Sequence, residues 1–144
     1  MDGEPPPGKG EFSRVLATPP APPPAALAYF RQARLACETD PFDVYHDLAS
    51  RAGGFVLVDA RTTDVYDEEC LPGALSMPHE RMTGEVLRML DPAPVYVTYG
   101  WGPACNAGTR AAAHLAAAGF RVKEMIGGLE YWKRQNYPTT TKRR

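Results

Sequence analysis

One stretch limits the folds open to this chain: Val95–Gly119, VYVTYGWGPACNAGTRAAAHLAAAG. Its first five residues, Val95 to Tyr99, are β-branched or aromatic and read as a buried strand. A glycine-rich loop follows, holding Gly100, Gly102, Pro103, Cys105 and Gly108. An alanine-rich segment of high helix propensity then runs to Gly119, a residue suited to the turn after a helix. Strand, loop and helix in that order bring Cys105 to a helix N-terminus at the end of a strand. Free backbone N–H groups and the helix dipole favour an anion there. The thiolate, the nucleophilic form of cysteine, is such an anion, so a lowered thiol pKa is expected at Cys105.

The flanking elements agree with an α/β domain. Phe55–Asp59 (FVLVD) is an apolar run ending in a charge, the pattern of a central parallel strand. Leu75–Met77 and Val122–Ile126 are shorter strand candidates. Asp40-Pro41-Phe42-Asp43 is a helix start, with a capping Asp, Pro at the first helical position and an acid in the first turn; that helix is predicted to end near Gly53-Gly54. Thr62–Glu69, Arg81–Leu90 and Leu129–Gln135 are further helix candidates, and Leu71-Pro72-Gly73-Ala74 is a turn. Strands alternating with helices predict a mostly parallel central sheet with helices on both faces. Ligands of such sheets bind beyond the carboxyl ends of the strands, where Asp59 and the Gly100–Gly108 loop lie.

The chain divides into three segments. Residues 1–24 hold eight of the fifteen prolines and few large apolar groups, which predicts a proline-rich mobile tail. Its runs Pro5–Pro7 and Pro22–Pro24 suit a plain linker better than a groove ligand. Residues 25–40 contain a predicted helix, Ala25–Glu38, that packs on the domain through Ala26, Phe30, Ala33 and Cys37, with Leu27 beside them. Cys37 is thereby expected in the core. Residues 41–140 form the domain proper.

A net charge of −1 gives no reason to expect nucleic acid or an anionic membrane as partner. No apolar run approaches the ~20 residues of a membrane span, and the N-terminus lacks the pattern of a secretory signal. Three widely spaced cysteines make no disulfide framework, so a cytoplasmic setting is expected. The pairs Cys37/His46, Cys70/His79 and Cys105/His114 are each nine apart, which is no zinc spacing, and neither a metal nor another cofactor is expected. Gly100-x-Gly102 lacks the third glycine of a dinucleotide fingerprint.

Several motifs taken together resemble the rhodanese family of sulfurtransferases. Val58-Asp59-Ala60-Arg61, Tyr66, Leu71-Pro72-Gly73-Ala74 and Met77-Pro78 are similar to its first signature, and Gly127-Gly128 with Trp132 to its second. The match spans about residues 41–138 in the right order. It implies a rhodanese-like fold and transfer of sulfane sulfur from a small sulfur-containing anion such as thiosulfate, through a cysteine persulfide, to a thiol or cyanide acceptor. Carried onto this chain, Cys105 would be the catalytic thiol. The amides of Asn106, Ala107, Gly108 and Thr109 would cradle the anion, and Arg110 would add positive charge. Asp59, Arg61, Gly100 and Trp101 would border the pocket, although a structural role for Asp59 and Arg61 is the stronger expectation. Trp132 is expected in the core, and His114 at the surface or packed rather than tuning Cys105.

Two departures leave alternatives open. Members usually carry the cysteine directly after the strand, where this chain has Gly100. In one register, Cys105–Arg110 is the cradle and the helix is only Ala111–Ala118. In the other, the cradle begins at Gly100, Asn106 caps a longer helix, and Cys105 stands late in the loop. Glu69-Cys70 also replaces a common Gly-His, making Cys70 either a resolving thiol or, better, a quiet loop cysteine. Two other functions stay open, a catalytically inert binding module and a cysteine-dependent phosphatase or arsenate reductase. The latter use arginine six positions after cysteine, whereas here it stands at five.

Overall fold

The computed structural model describes residues 3–4, 10 and 12–143. The Pro5–Pro7 run lies outside them. Five parallel strands form one sheet in the order β1-β5-β4-β2-β3: Glu38–Thr39, Phe55–Asp59, Leu75–Ser76, Val95–Tyr99 and Val122–Met125 for β1 to β5. The two longest strands pair along their whole length, from Phe55 against Val95 to Asp59 against Tyr99. Their carboxyl ends therefore finish level, at the edge from which the Gly100 loop departs.

Alternation along the strands sends side chains to two separate cores. Leu57, Val97, Tyr99 and Met125 meet Val44 of α2 (Pro41–Ser50) and Leu129 and Trp132 of α6 (Gly128–Arg134). Val58 and Tyr96 meet Leu87 of α4 (Gly84–Arg88) and Ala111 and Leu115 of α5 (Ala107–Ala117). The expected arrangement, a parallel sheet with helices on both faces, is the one observed. Trp132 is fully buried, as expected, and its Nε1 donates to Pro138 O at 2.8 Å. No helix among the described residues is long and apolar enough to cross a membrane.

Local chemistry explains most element ends. Asp40 caps α2, its Oδ1 accepting from Asp43 N at 2.9 Å. The helix stops earlier than Gly53 because Arg51 itself turns left-handed, at φ 56°. The helix expected over Arg81–Leu90 is split: a single 3₁₀ turn spans His79–Arg81, and α4 begins only after Thr83, whose hydroxyl caps it. Helix α3 (Thr63–Glu68) lies within the predicted Thr62–Glu69.

The N-terminal helix departs furthest from expectation. It runs as α1 (Pro23–Ala28) and continues with π-helical winding through Tyr29–Leu35, and none of its residues is buried. Ala36 N bonds Arg31 O, five residues back. That wider turn breaks the 3.6-residue spacing on which an Ala26–Phe30–Ala33–Cys37 stripe depends. Cys37 is exposed, not core, and Phe30 and Leu27 are half exposed. Backbone bonds hold the segment instead, with Lys123 Nζ on Leu35 O and Glu124 N on Cys37 O. They draw out the edge strand β1, which the periodicity did not anticipate.

Candidate active site

Strand β4 ends at Tyr99, the loop occupies Gly100–Cys105, and Asn106 stands at the cap of α5. This is the second of the two registers. The first, with its short Ala111–Ala118 helix, is excluded because Ala107, Gly108, Thr109 and Arg110 already form the first turn of α5. Thr98, the polar residue inside β4, fixes that start: its buried hydroxyl donates to Gly108 O at 2.7 Å.

The loop closes on itself through Cys105 N donating to Gly102 O at 3.0 Å. This turn carries the Cys105 sulfur back over Gly100. A Cβ on Gly100 would stand 3.4 Å from Cys105 Sγ, 3.3 Å from Gly108 N and 3.6 Å from Ala107 Cβ. The sulfur thus lies against the bare face of the residue that follows the strand, beside the first turn of α5. Arg110 N makes the first bond of that helix, to Asn106 O at 2.9 Å, so the amides of Ala107, Gly108 and Thr109 precede any intrahelical partner. Cys105 is half-buried. A half-buried sulfur beside unpaired amides is what anion capture needs.

The remaining cradle candidates divide. The Asn106 side chain makes no capping bond; its Oδ1 accepts from Arg110 Nε at 3.2 Å. Arg110 is exposed and keeps its charge on the solvent side of the first turn. The Thr109 hydroxyl turns to Glu124 on β5, 2.9 Å from each carboxylate oxygen. Burial, opposed in part by Thr109, raises the Glu124 pKa, and Glu38 beside it on β1 raises it further. Sequence reasoning missed Glu124, whose only signal was a charge in the middle of the strand VKEM.

The loop is held from behind by α6. Gly100 O accepts from Leu129 N at 3.0 Å and Trp101 O from Glu130 N at 2.7 Å. The approach is so close that a Cβ on Gly128, which has φ +62°, would fall 2.6 Å from Gly100 O. Here the Gly-Gly of the second signature acquires its physical reason.

Asp59 and Arg61 bind each other through two of the guanidinium nitrogens. Both are buried, with Arg61 Nη2 2.7 Å from Asp59 Oδ2 and Nε 3.0 Å from Oδ1. Tyr99 Oη donates to the same Oδ2 at 2.7 Å and accepts from Leu71 N at 3.0 Å. Burial disfavours the Arg61 charge, but Asp59 outweighs it and the pKa stands above its ordinary value. The Arg61 guanidinium stacks on Trp101, 4.5 Å from the ring centroid, and so braces the loop. Its Nη1 has no partner among the described residues. Cys70 is fully buried, its backbone paired with Thr140, and burial, then Asp59, raises its thiol pKa. His114 lies exposed on α5, stacked on His79.

A family model described as Rhodanese-like domain matches residues 44–135. The chain belongs to the rhodanese-like domain family. Among solved structures, a protein of Bacillus halodurans is 38% identical, with a TM-score of 0.77 over 83% of this chain and 87% of that one. The rhodanese-like domain of an Anabaena protein is 28% identical, with a TM-score of 0.65 over 72% of this chain and 78% of that one. A thiosulfate sulfurtransferase from Pseudomonas aeruginosa shares the fold at 21% identity and a TM-score of 0.60, over 81% of this chain and 22% of its own length. No curated protein matches the chain. The rhodanese-like assignment ties it to the sulfurtransferase superfamily.

Proposed function

We propose that the chain is a sulfurtransferase whose nucleophile is Cys105. The observation that supports this reading is the Cys105 sulfur lying 3.4 Å from where a Cβ of residue 100 would be, beside Gly108 N. The family's usual cysteine follows the strand directly. Here glycine leaves that place open, and the loop delivers a sulfur to it from five residues further on. In the reaction, the Cys105 thiolate attacks the outer sulfur of thiosulfate. A sulfur–sulfur bond forms, the bond to the central sulfur breaks, and sulfite leaves with the electron pair. Cyanide or a thiolate then attacks the terminal persulfide sulfur, takes it as thiocyanate or a new persulfide, and returns the Cys105 thiolate. The first-turn amides of α5 would hold the anionic donor and the persulfide.

Gly100 also supports a second reading, an inert binding module that keeps the fold without the chemistry. The spacing argument for sulfur over phosphate does not carry over, because it required Cys105–Arg110 to be the cradle. One experiment separates the three. The protein is incubated with thiosulfate, weighed intact, then treated with cyanide. A sulfurtransferase gains one sulfur atom, loses it to cyanide as thiocyanate, and fails to gain it in Cys105→Ser. An unmodified wild type points to the inert module, and faster turnover of an aryl phosphate than of thiosulfate points to the phosphatase.

A further inference from the structure

The N-terminal helix leaves the body of the domain as an arm. It winds without a break from Pro23 to Leu35 and buries none of its residues. Leu27 and Phe30 are half exposed and Leu35 is 70% exposed, an apolar face rather than scattered single side chains. The wide winding after Ala28 brings Phe30 and Leu35, five positions apart, to one side of the helix. There they line a groove of about 380 Å³ together with Ile126, itself 41% exposed.

The rim of that groove is acidic. Asp40 and Asp43 stand along it, and at Thr39 and Asp43 it runs into a second cavity of about 460 Å³, flanked by His46 and Asp47. Asp43 and Asp47 are exposed, one turn apart on α2. The cations at the groove are already engaged: Arg34 pairs with Glu38 at 2.6 Å, and Lys123 Nζ donates to the carbonyls of Leu35 and Glu38. The arm has the opposite character. From Ser13 to Cys37 the chain carries Arg14, Arg31 and Arg34 and no acid. None of the ion pairs among the described residues uses Arg31, Asp43 or Asp47.

Arm and groove therefore match in charge and in apolar surface. They cannot meet within one chain, because the groove begins at Phe30 and Leu35, the root of the arm, and a continuous helix does not fold back on its own root. We infer that they meet between two copies of this chain, the arm of each protomer lying in the groove of the other. Leu27 of one copy packs against Phe30, Leu35 and Ile126 of the second, and Arg31 meets Asp43 and Asp47. A two-fold axis makes this contact twice. Half the surface of a helix ~20 Å long and ~10 Å across is about 300 Å². Two such arms and the two grooves that receive them reach the ~1,200 Å² at which stable interfaces begin.

Sedimentation equilibrium of the full chain, from low to high micromolar concentration, reads the association. Wild type is expected to sediment as a dimer. Arg31→Glu sets acid against acid, and the double variant Asp43→Lys with Asp47→Lys sets base against base. Each is expected to weaken the dimer by about tenfold or more. Mixed in equal amounts, the two variants are expected to regain it, since every arm then meets a groove of opposite charge. All three positions are exposed, and circular dichroism checks that each variant keeps its fold. A wild type that stays monomeric, a dimer that both variants leave intact, or a mixture that stays monomeric overturns the inference. Binding of a monomeric wild type to phosphatidylserine vesicles also overturns it, and assigns the arm to a lipid surface.

Discussion

The proposed chemistry gathers on a few residues whose identities follow from what surrounds them. Gly100 is small because the Cys105 sulfur lies over it, and Gly128 because the loop backbone lies against it. Gly128→Ala forces its Cβ into Gly100 O at a positive φ, so stability should fall by more than about 1 kcal/mol and Cys105 loading should drop with it. Chemical denaturation and intact mass after donor treatment check the two effects. Asp59 binds Arg61 and Tyr99 in a buried network. Asp59→Ala leaves the Arg61 charge buried without its partner, and the expected loss is about 3–5 kcal/mol by denaturant melting. A change under about 1 kcal/mol would show that the pair is more weakly coupled than its geometry requires. Of these residues, Asp59, Arg61 and Cys105 stood out in the sequence as candidates. Glu124 was not, because a single charge in a strand does not reveal which neighbour it faces.

Strand β4, its loop and α5 act as one element, and Thr98 joins them. The Thr98→Val substitution keeps the shape and removes the hydroxyl that Gly108 O accepts. It should cost about 1 kcal/mol and speed amide exchange in the first turn of α5, measured by hydrogen exchange and thermal melts. This element also marks how far pattern reading reaches. The strand and the presence of the helix could be read from β-branched and alanine-rich runs. The start of α5 could not, because the alanines from Ala111 onward fit either register and the Asn106 cap alone does not decide between them. What settles the start is Thr98, a tertiary contact across ten positions. The N-terminal helix fails for a different reason: its residues fit a 3.6-residue repeat, but the winding from Tyr29 onward is wider and no core lies opposite. The two-residue strand β1 carries too few side chains to show any period.

At the scale of the molecule, one sheet edge gathers the loop, the Asp59–Arg61 pair and the C-terminal segment. That segment crosses Cys70, with Cys70 N and Thr140 N each bonded to the other's carbonyl at 2.9 Å. Beneath it, burial raises the pKa values of both Cys70 and Tyr99. Groups raised on folding stabilise the protein fully below their unfolded pKa values and lose that contribution as pH climbs toward the folded ones. Stability should therefore decline above ~8.5, where a free thiol begins to ionise, and more steeply above ~10 with the free phenol. Thermal melts from neutral to alkaline pH read this out, and a flat profile through that range would contradict it. The proposed function depends on the same edge, because it is the fold as a whole that sets the Cys105 sulfur against Gly100 and the first turn of α5. The most direct test maps the sulfur after donor loading, by digesting the protein and weighing the peptides that carry Cys37, Cys70 and Cys105. The sulfur-transfer account predicts one added sulfur on the Cys105 peptide and none on the other two; an added sulfur on Cys37, or on no peptide, would contradict it.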